Sequence, residues 1–348
     1  MAKAGLPAYV VSHPADQYYL TGFDGEDGVA VITRDRVYLI TDGRFDEQAD
    51  HEAPWARKII RRKGIAEELT RLRRRHRWRK VGFQAEHLSV AQWRTFRKAL
   101  RPARFVQARR IVRDLRLCKD EQEIAAIRRA VQVAEDAFRA TVRQVRIGMT
   151  ERQVAARLEY EMRRRGASAP SFEPIVAEGP RSSLPHARAG DRRIREGSVL
   201  LIDWGATVGH YRSDLTRVLF VRKIHPRFRR IYAAVLEAQR RAVAAVRAGT
   251  TTAAVDRAAR SYLRSVGYGR QFTHSTGHGL GLDIHEAPGL GRRMPTPLQA
   301  NMVVTIEPGV YEPGVGGVRI EDDVRVTADG AEVLSTLGKD LEDMVIRG

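Results

Sequence analysis

The stretch VLLIDWGATVGHYRSDLTRVLF, residues 199–220, decides how this chain is read. Apolar and β-branched residues flank a short turn, which is the pattern of a buried β-hairpin. Two carboxylates, Asp203 and Asp214, sit inside those apolar runs. With the turn at Val208-Gly209, the two face each other directly across the hairpin, their Cβ atoms about 4.5–5.5 Å apart. A slip of one residue would send them to opposite faces. Two buried carboxylates at that distance repel and lose hydration, so either one is protonated or a cation lies between them.

The same oddity recurs downstream. MVVTIEPGVY (302–311) carries Glu307 at the end of an apolar strand, and GVRIEDDVRV (317–326) carries Glu321 within another. Between the two carboxylate pairs runs FTHSTGHGLGLDIHEAP (272–288), with His274, His278 and His285 in a glycine-rich segment whose backbone is free to pass close to a ligand. A lone buried Asp is ordinarily structural, and a lone His in a glycine-rich loop ordinarily makes a hydrogen bond. Several such residues on successive apolar strands need several buried cations. Four carboxylates and an imidazole suit a dinuclear site for hard-to-borderline ions, with Mn²⁺ best matched and Co²⁺, Zn²⁺ or Fe²⁺ as alternatives. Two such ions share a water, lower its pKa and polarise a carbonyl, which points to hydrolysis of an amide or ester.

The surrounding sequence supplies the frame. Residues 5 to 117 read as an α/β domain with strands at Ala8–Val11, Val29–Thr33, Val37–Ile40, Lys58–Ile60, Val81–Phe83 and Arg104–Gln107, and helices over 43–52, 64–76 and 89–101. A boundary falls at residue 118. Asp120 and Glu123 then form a capping box that opens a long helix over 121–146. VRIGMTERQVAARLEYEMRRRGA (145–167) lies in register on VRAGTTTAAVDRAARSYLRSVGY (246–268), each a helix end, a Gly stop, a Thr cap and a second helix. The second region, 119–348, therefore reads as two similar halves with the cleft between them.

Composition bounds the setting. The 348 residues are 43% hydrophobic, and no apolar run reaches transmembrane length. The first residues lack a signal-peptide layout, and the one cysteine, Cys118, excludes an intrachain disulfide, so a cytoplasmic, membrane-free protein is expected. Lys and Arg number 61 against 42 acidic residues, a formal charge of +19, with basic runs at 57–64, 71–80 and 108–117. No recognisable nucleic-acid module accompanies these runs. They read first as solvated helix faces, and a nucleic-acid partner is not expected.

The motifs DWG (203–205), SDLTR (213–217), TGHGLGLDIHE (276–286), IEPGVY (306–311) and VRIEDD (318–323) resemble those of the pita-bread metallopeptidases. VSHPADQYYLTGF (11–23) is similar to the creatinase-type N-terminal domain of the proline-specific branch. The resemblance implies an α/β (α+β) chain with a creatinase-like domain over 1–118 and a pseudo-two-fold pita-bread catalytic domain over 119–348. It implies two divalent ions, with Asp203 on one, Asp214 and Glu321 bridging both, and His278 and Glu307 completing the ligands of the other ion. Glu307 would also move the proton of the attacking water, and His285 would hold the oxyanion. His186, in LPHA (184–187), would sit near the scissile bond, Arg319 would brace the site, and His274 would stand behind it.

The branch implies cleavage between a first residue and a following proline, in a homodimer. Some members carry an arginine just after the HE motif, suited to a dipeptide's carboxylate. Here that position is Gly289, with Arg292 and Arg293 close in sequence. The expectation is thus an Xaa-Pro aminopeptidase acting on longer peptides, with an Xaa-Pro dipeptidase as the alternative. A pita-bread protein that has lost catalysis and binds through its basic surface is a more remote reading.

Overall fold

The computed structural model describes residues 1, 5–293 and 295–347. The chain divides into two units, Met1–Arg116 and Leu117–Gly348.

The first unit is built on strands β1 (Ala8–Val11), β2 (Val29–Thr33), β3 (Val37–Thr41), β4 (Arg57–Ile60), β5 (Lys80–Phe83) and β6 (Arg104–Gln107). They form one mixed sheet in the order β4-β3-β2-β1-β5-β6. β1 is buried on both sides: Ala8 and Val10 join one apolar cluster, Tyr9 and Val11 another, as strand alternation requires. The helices are α1 (Pro14–Thr21), α2 (Asp46–Glu52), α3 (Ile65–His76), α4 (Val90–Ala99) and α5 (Ile111–Leu115). Leu69 and Leu72 of α3 and Phe96 of α4 cover the face that carries Val10 and Tyr38. Sequence reasoning passed over α1. Its signals were Pro14 at the first helical position and Gly22, which ends the helix at φ 79°.

In the second unit the expected repetition is visible. Helix α6 (Glu121–Val142) begins with the Asp120–Glu123 capping box and packs on α7 (Glu151–Arg164). After strands β7 (Ala169–Pro170), β8 (Ile175–Glu178), β9 (Val199–Trp204), β10 (Ala206–Val208), β11 (Tyr211–Arg212) and β12 (Leu215–Val221) comes the second pair, α8 (Pro226–Ala245) and α9 (Thr252–Ser265). Each joint is made alike. Gly148 and Gly249 adopt φ 92° and 85°, and Gly166 and Gly267 adopt 98° and 89°. Thr150 and Thr251 each accept a backbone N–H with the side chain to start the second helix. The first helix stops four residues short of the expected 146.

The second half continues with β13 (Gly277–Gly279), β14 (Glu286–Leu290), β15 (Val303–Ile306), β16 (Gly309–Glu312), β17 (Gly316–Arg319), β18 (Asp322–Val326), β19 (Ala331–Val333) and β20 (Val345–Ile346). The two main sheets run β20-β12-β9-β8 and β14-β13-β15-β18-β19. One isolated bridge, Thr216 to Glu321, connects β12 to the residue that precedes β18.

The hairpin register differs from the sequence expectation. Val208 pairs with Tyr211, so the loop is Gly209-His210, with φ 55° and 69°. Positive φ at both positions is what a type I′ turn requires. Asp203 therefore faces Thr216, and Asp214 lies diagonally from it instead of directly opposite. Moving the loop by one residue shifts the partner by two, so the two carboxylates keep the same face. At Gly205, where β9 gives way to β10, a Cβ would stand 1.8 Å from the Ser213 carbonyl oxygen, which explains why DWG ends in glycine.

Candidate active site

The register carries the site. Asp203 on β9 faces Thr216 on β12, and Thr216 bridges to Glu321, so three side chains form one lateral row. The Thr216 hydroxyl donates to Glu321 Oε2 at 2.6 Å and accepts from Arg319 Nε at 3.0 Å. Asp214 follows the break in the hairpin, and its backbone N–H donates to Asp323 Oδ2 at 3.0 Å. From the other half, His278 on β13 and Glu307, just past β15, close the ring. His278 Nε2 lies 3.5 Å from Asp214 Oδ2 and 3.6 Å from Glu307 Oε1. At Gly277 a Cβ would meet the Thr305 carbonyl oxygen at 1.9 Å, so this strand too runs where only glycine fits.

All nine residues singled out from the sequence line one cavity of about 460 Å³. Asp203, Asp214, Glu321 and Arg319 are buried, Glu307, His274 and His278 partly so, and His186 and His285 lie at its exposed rim. The Phe172, Pro174, Ile175 and Ile284 side chains give it an apolar wall.

The electrostatics are those of an uncompensated acidic cluster. Burial, reinforced by Asp203, Asp323 and Glu307, pushes the Asp214 carboxyl well above its ordinary range. Glu321 is pushed well up as well, by burial and then by Asp214, Glu307 and Asp203. Asp203 is raised by burial, and only Arg319 opposes this strongly. The Arg319 guanidinium pairs with Asp203 Oδ2 and donates to the Tyr311 hydroxyl at 2.8 Å. Tyr311, raised by burial to about 12, lies 2.9 Å from His274 Nε2. One guanidinium thus faces four carboxyl groups. Burial, and then the His278 ring 4.3 Å away, lower the His285 pKa, which favours its neutral imidazole.

These residues fit a pair of divalent ions. The nearest ligand atoms of Asp214, His278 and Glu321 all lie within 4.8 Å of one another. Asp203 Oδ1 is buried with no hydrogen-bond partner, an oxygen that a cation would satisfy. His278 Nδ1 lies 3.0 Å from the Gly279 carbonyl oxygen; donation there leaves Nε2, the nitrogen aimed at the carboxylates, as the free electron pair.

Three contributors escaped sequence reasoning. Asp323 anchors the Asp214 backbone, Tyr311 joins Arg319 to His274, and Thr216 sits between Asp203 and Glu321. Each lies inside a quoted motif, but nothing in the letters tells which of two adjacent acids faces the cavity.

The description Metallopeptidase family M24 matches residues 125–328, and Creatinase/Prolidase N-terminal domain matches residues 1–118. An Xaa-Pro dipeptidase of Pyrococcus furiosus is 42% identical over 254 residues, covering 73% of this chain and 73% of that protein. Among solved structures, an Xaa-Pro dipeptidase from Bacillus anthracis is similar at a TM-score of 0.96 and 38% identity, covering 99% of this chain and 96% of that one. An X-Pro aminopeptidase from Thermotoga maritima is similar at 0.92 and 36% identity, over 98% and 97%. The likeness extends over both units, and the acidic cavity is the part of the fold that such a family would put to use. The chain belongs to metallopeptidase family M24, among the members that carry a creatinase-type N-terminal domain.

Proposed function

We propose that the protein is an Xaa-Pro dipeptidase, hydrolysing the bond between a first residue and a C-terminal proline. The observation that carries the reading is the convergence of four carboxyl groups and His278, with the buried Arg319 guanidinium paired to Asp203, in a cavity with an apolar wall.

Asp203, Asp214, His278, Glu307 and Glu321 would hold two divalent ions, Mn²⁺ first by donor type. When bound, such ions supply Lewis acidity and a water of lowered pKa. Glu307 takes the proton of the attacking water and returns it to the proline nitrogen as the bond breaks. Neutral His285 donates its N–H to the carbonyl oxygen as that oxygen becomes anionic. His186, on the exposed rim, lies where a peptide enters. Arg319 fixes Asp203 by its charge and is itself held by Tyr311. The proline ring, with no N–H to satisfy, suits the wall of Phe172, Pro174, Ile175 and Ile284.

Gly289 favoured a longer peptide, and two observations favour the shorter one. Arg188 lines the cavity itself, and Arg292 and Arg293 line a neighbouring one of about 490 Å³ that shares the His274–Ser275 wall, so guanidinium groups border the site on the side open to a substrate carboxylate. The relatives most similar in sequence and structure include several named as dipeptidases or prolidases. The test is hydrolysis of Gly-Pro against Gly-Pro-Ala by the Mn²⁺-loaded protein. The dipeptide is expected to win in kcat/KM by at least about tenfold, which is about 1.4 kcal/mol of transition-state binding. A preference for the tripeptide would make it an Xaa-Pro aminopeptidase. Failure to cleave either with Mn²⁺, Co²⁺, Zn²⁺ or Fe²⁺ would end the reading.

A further inference from the structure

The positive charge is distributed unevenly. Residues 53–116 hold 21 Lys and Arg against 4 Asp and Glu. In the first unit, Arg57 of this stretch joins Arg34 and Arg36 around a cleft of about 560 Å³ that Trp55 also lines, with Asp35 at its edge. Trp55 is 59% exposed, among the most exposed large apolar side chains described. The turn that presents the arginines is pinned. The Thr33 hydroxyl accepts from the Arg36 backbone N–H at 3.0 Å and donates to Asp35 Oδ1 at 3.0 Å. Asp35 lies 3.6 Å from Arg36 on the open surface, where such a pair is worth little. Neither Arg34 nor Arg57 pairs with a carboxylate among the described residues.

The end of α3 adds to this ground. His76 stacks on Trp78 at 5.1 Å and meets the Tyr38 hydroxyl at 2.7 Å. Burial, followed by the charge of Arg75 and, against the opposing charge of Asp35, those of Arg36 and Arg57, lowers its pKa. Farther along, the α3 and α4 helices touch through the Thr70 hydroxyl and the Ala99 carbonyl, and exposed Arg74, Arg97 and Lys98 continue the basic surface.

A guanidinium cluster that outnumbers its neighbouring carboxylates, here three against Asp35 alone in the cleft lining, recognises phosphate. An exposed indole among guanidinium groups offers a stacking platform for a planar base. A helix dipole accounts for basic residues in the last turns of α3 and α4, but not for Trp55 or for the arginines of the β2–β3 turn. We propose that this cleft binds single-stranded nucleic acid, with a base stacked on Trp55 and the adjoining phosphates held by Arg34, Arg36 and Arg57. The site is independent of the peptidase chemistry.

The experiment is fluorescence anisotropy of a labelled oligothymidylate titrated with the full chain between about 50 and 200 mM salt. Binding is expected, weakening steeply with salt. Replacing Arg34, Arg36 and Arg57 together by Ser should reduce the slope of log K against log salt by about 2. The Trp55→Ala variant should bind about tenfold or more weakly at constant slope. Both variants should keep their Mn²⁺-dependent peptidase activity, which reports that they are folded. The proposal is overturned if no binding occurs at the lowest salt, or if polyglutamate competes as well as the oligonucleotide. It also falls if Trp55→Ala binds unchanged, or if the protein prefers duplex DNA or phosphatidylserine vesicles. Loss of self-association in Trp55→Ala, with oligonucleotide binding intact, would assign the indole to a second copy of the chain instead.

Discussion

Glu321 and Asp322 are neighbours in the chain, both fully buried, and opposite in character. Glu321 faces the cavity, where burial and three other carboxyl groups push its pKa well up. Asp322 points to the other side of the strand. There, against the cost of burial, Arg217 and Lys339 hold it down at about 2. Arg217 donates to Asp322 Oδ1 at 2.8 Å, and Gln239 and Ser335 also donate to this carboxylate. Arg217 further donates to the carbonyls of Thr216, Glu321 and Leu337. Burial alone therefore does not mark a functional acid. The mark is burial without enough cation to match, and one peptide unit separates the two cases.

The contrast gives variants of unlike consequence. The largest effect is expected on turnover: Glu307→Gln should lower kcat by about 10²–10⁴-fold, measured at saturating Mn²⁺. Unchanged kcat would remove Glu307 from proton transfer. Next comes stability. Asp322→Ala strands Arg217 in the interior and should cost about 3–5 kcal/mol in urea unfolding of the metal-free protein. Glu321→Gln relieves repulsion, so the metal-free protein should become more stable, by no more than about 2 kcal/mol, while activity is lost. If both variants destabilised alike, the contrast would collapse.

A pH test follows from the raised Asp214 and Glu321. The folded, metal-free protein binds more protons than the unfolded chain. This contribution to stability is fully present below the unfolded carboxylate pKa and is lost as pH rises through the folded values. Ions compete with those protons, so the Tm increase on adding Mn²⁺ should be larger near about pH 8 than near about pH 5. An equal increase at both would mean that ions and protons do not share these groups. The smallest effect is expected at Asp323. Asp323→Asn keeps an acceptor for the Asp214 N–H and should cost less than about tenfold in kcat/KM, whereas Asp323→Ala should cost about 1–3 kcal/mol of stability.

Much of this was legible in the letters. The strands of the first unit, the capping box at Asp120 and the repeated Gly–Thr joints follow from local rules, and the structure has them. What local rules missed was set by direction and by neighbours distant in sequence. His210 at positive φ moved the hairpin loop, because His is an unusual choice where Asn or Gly is expected. The unlike fates of Glu321, Asp322 and Asp323 depend on residues 109 positions away and farther. Trp55 reads as one more apolar letter until its exposure is known.

The bridge between Thr216 and Glu321 has a mechanical consequence. The ligand row also lies on one of the seams that stitch the halves of the second unit. Any fluctuation that parts the seam pulls Glu321 away from Asp203, and any ion that clamps those oxygens fastens the seam. Cargo and hinge pin are one object here, so amide exchange at Glu321, whose N–H donates to Thr216, should slow sharply once the centre is loaded.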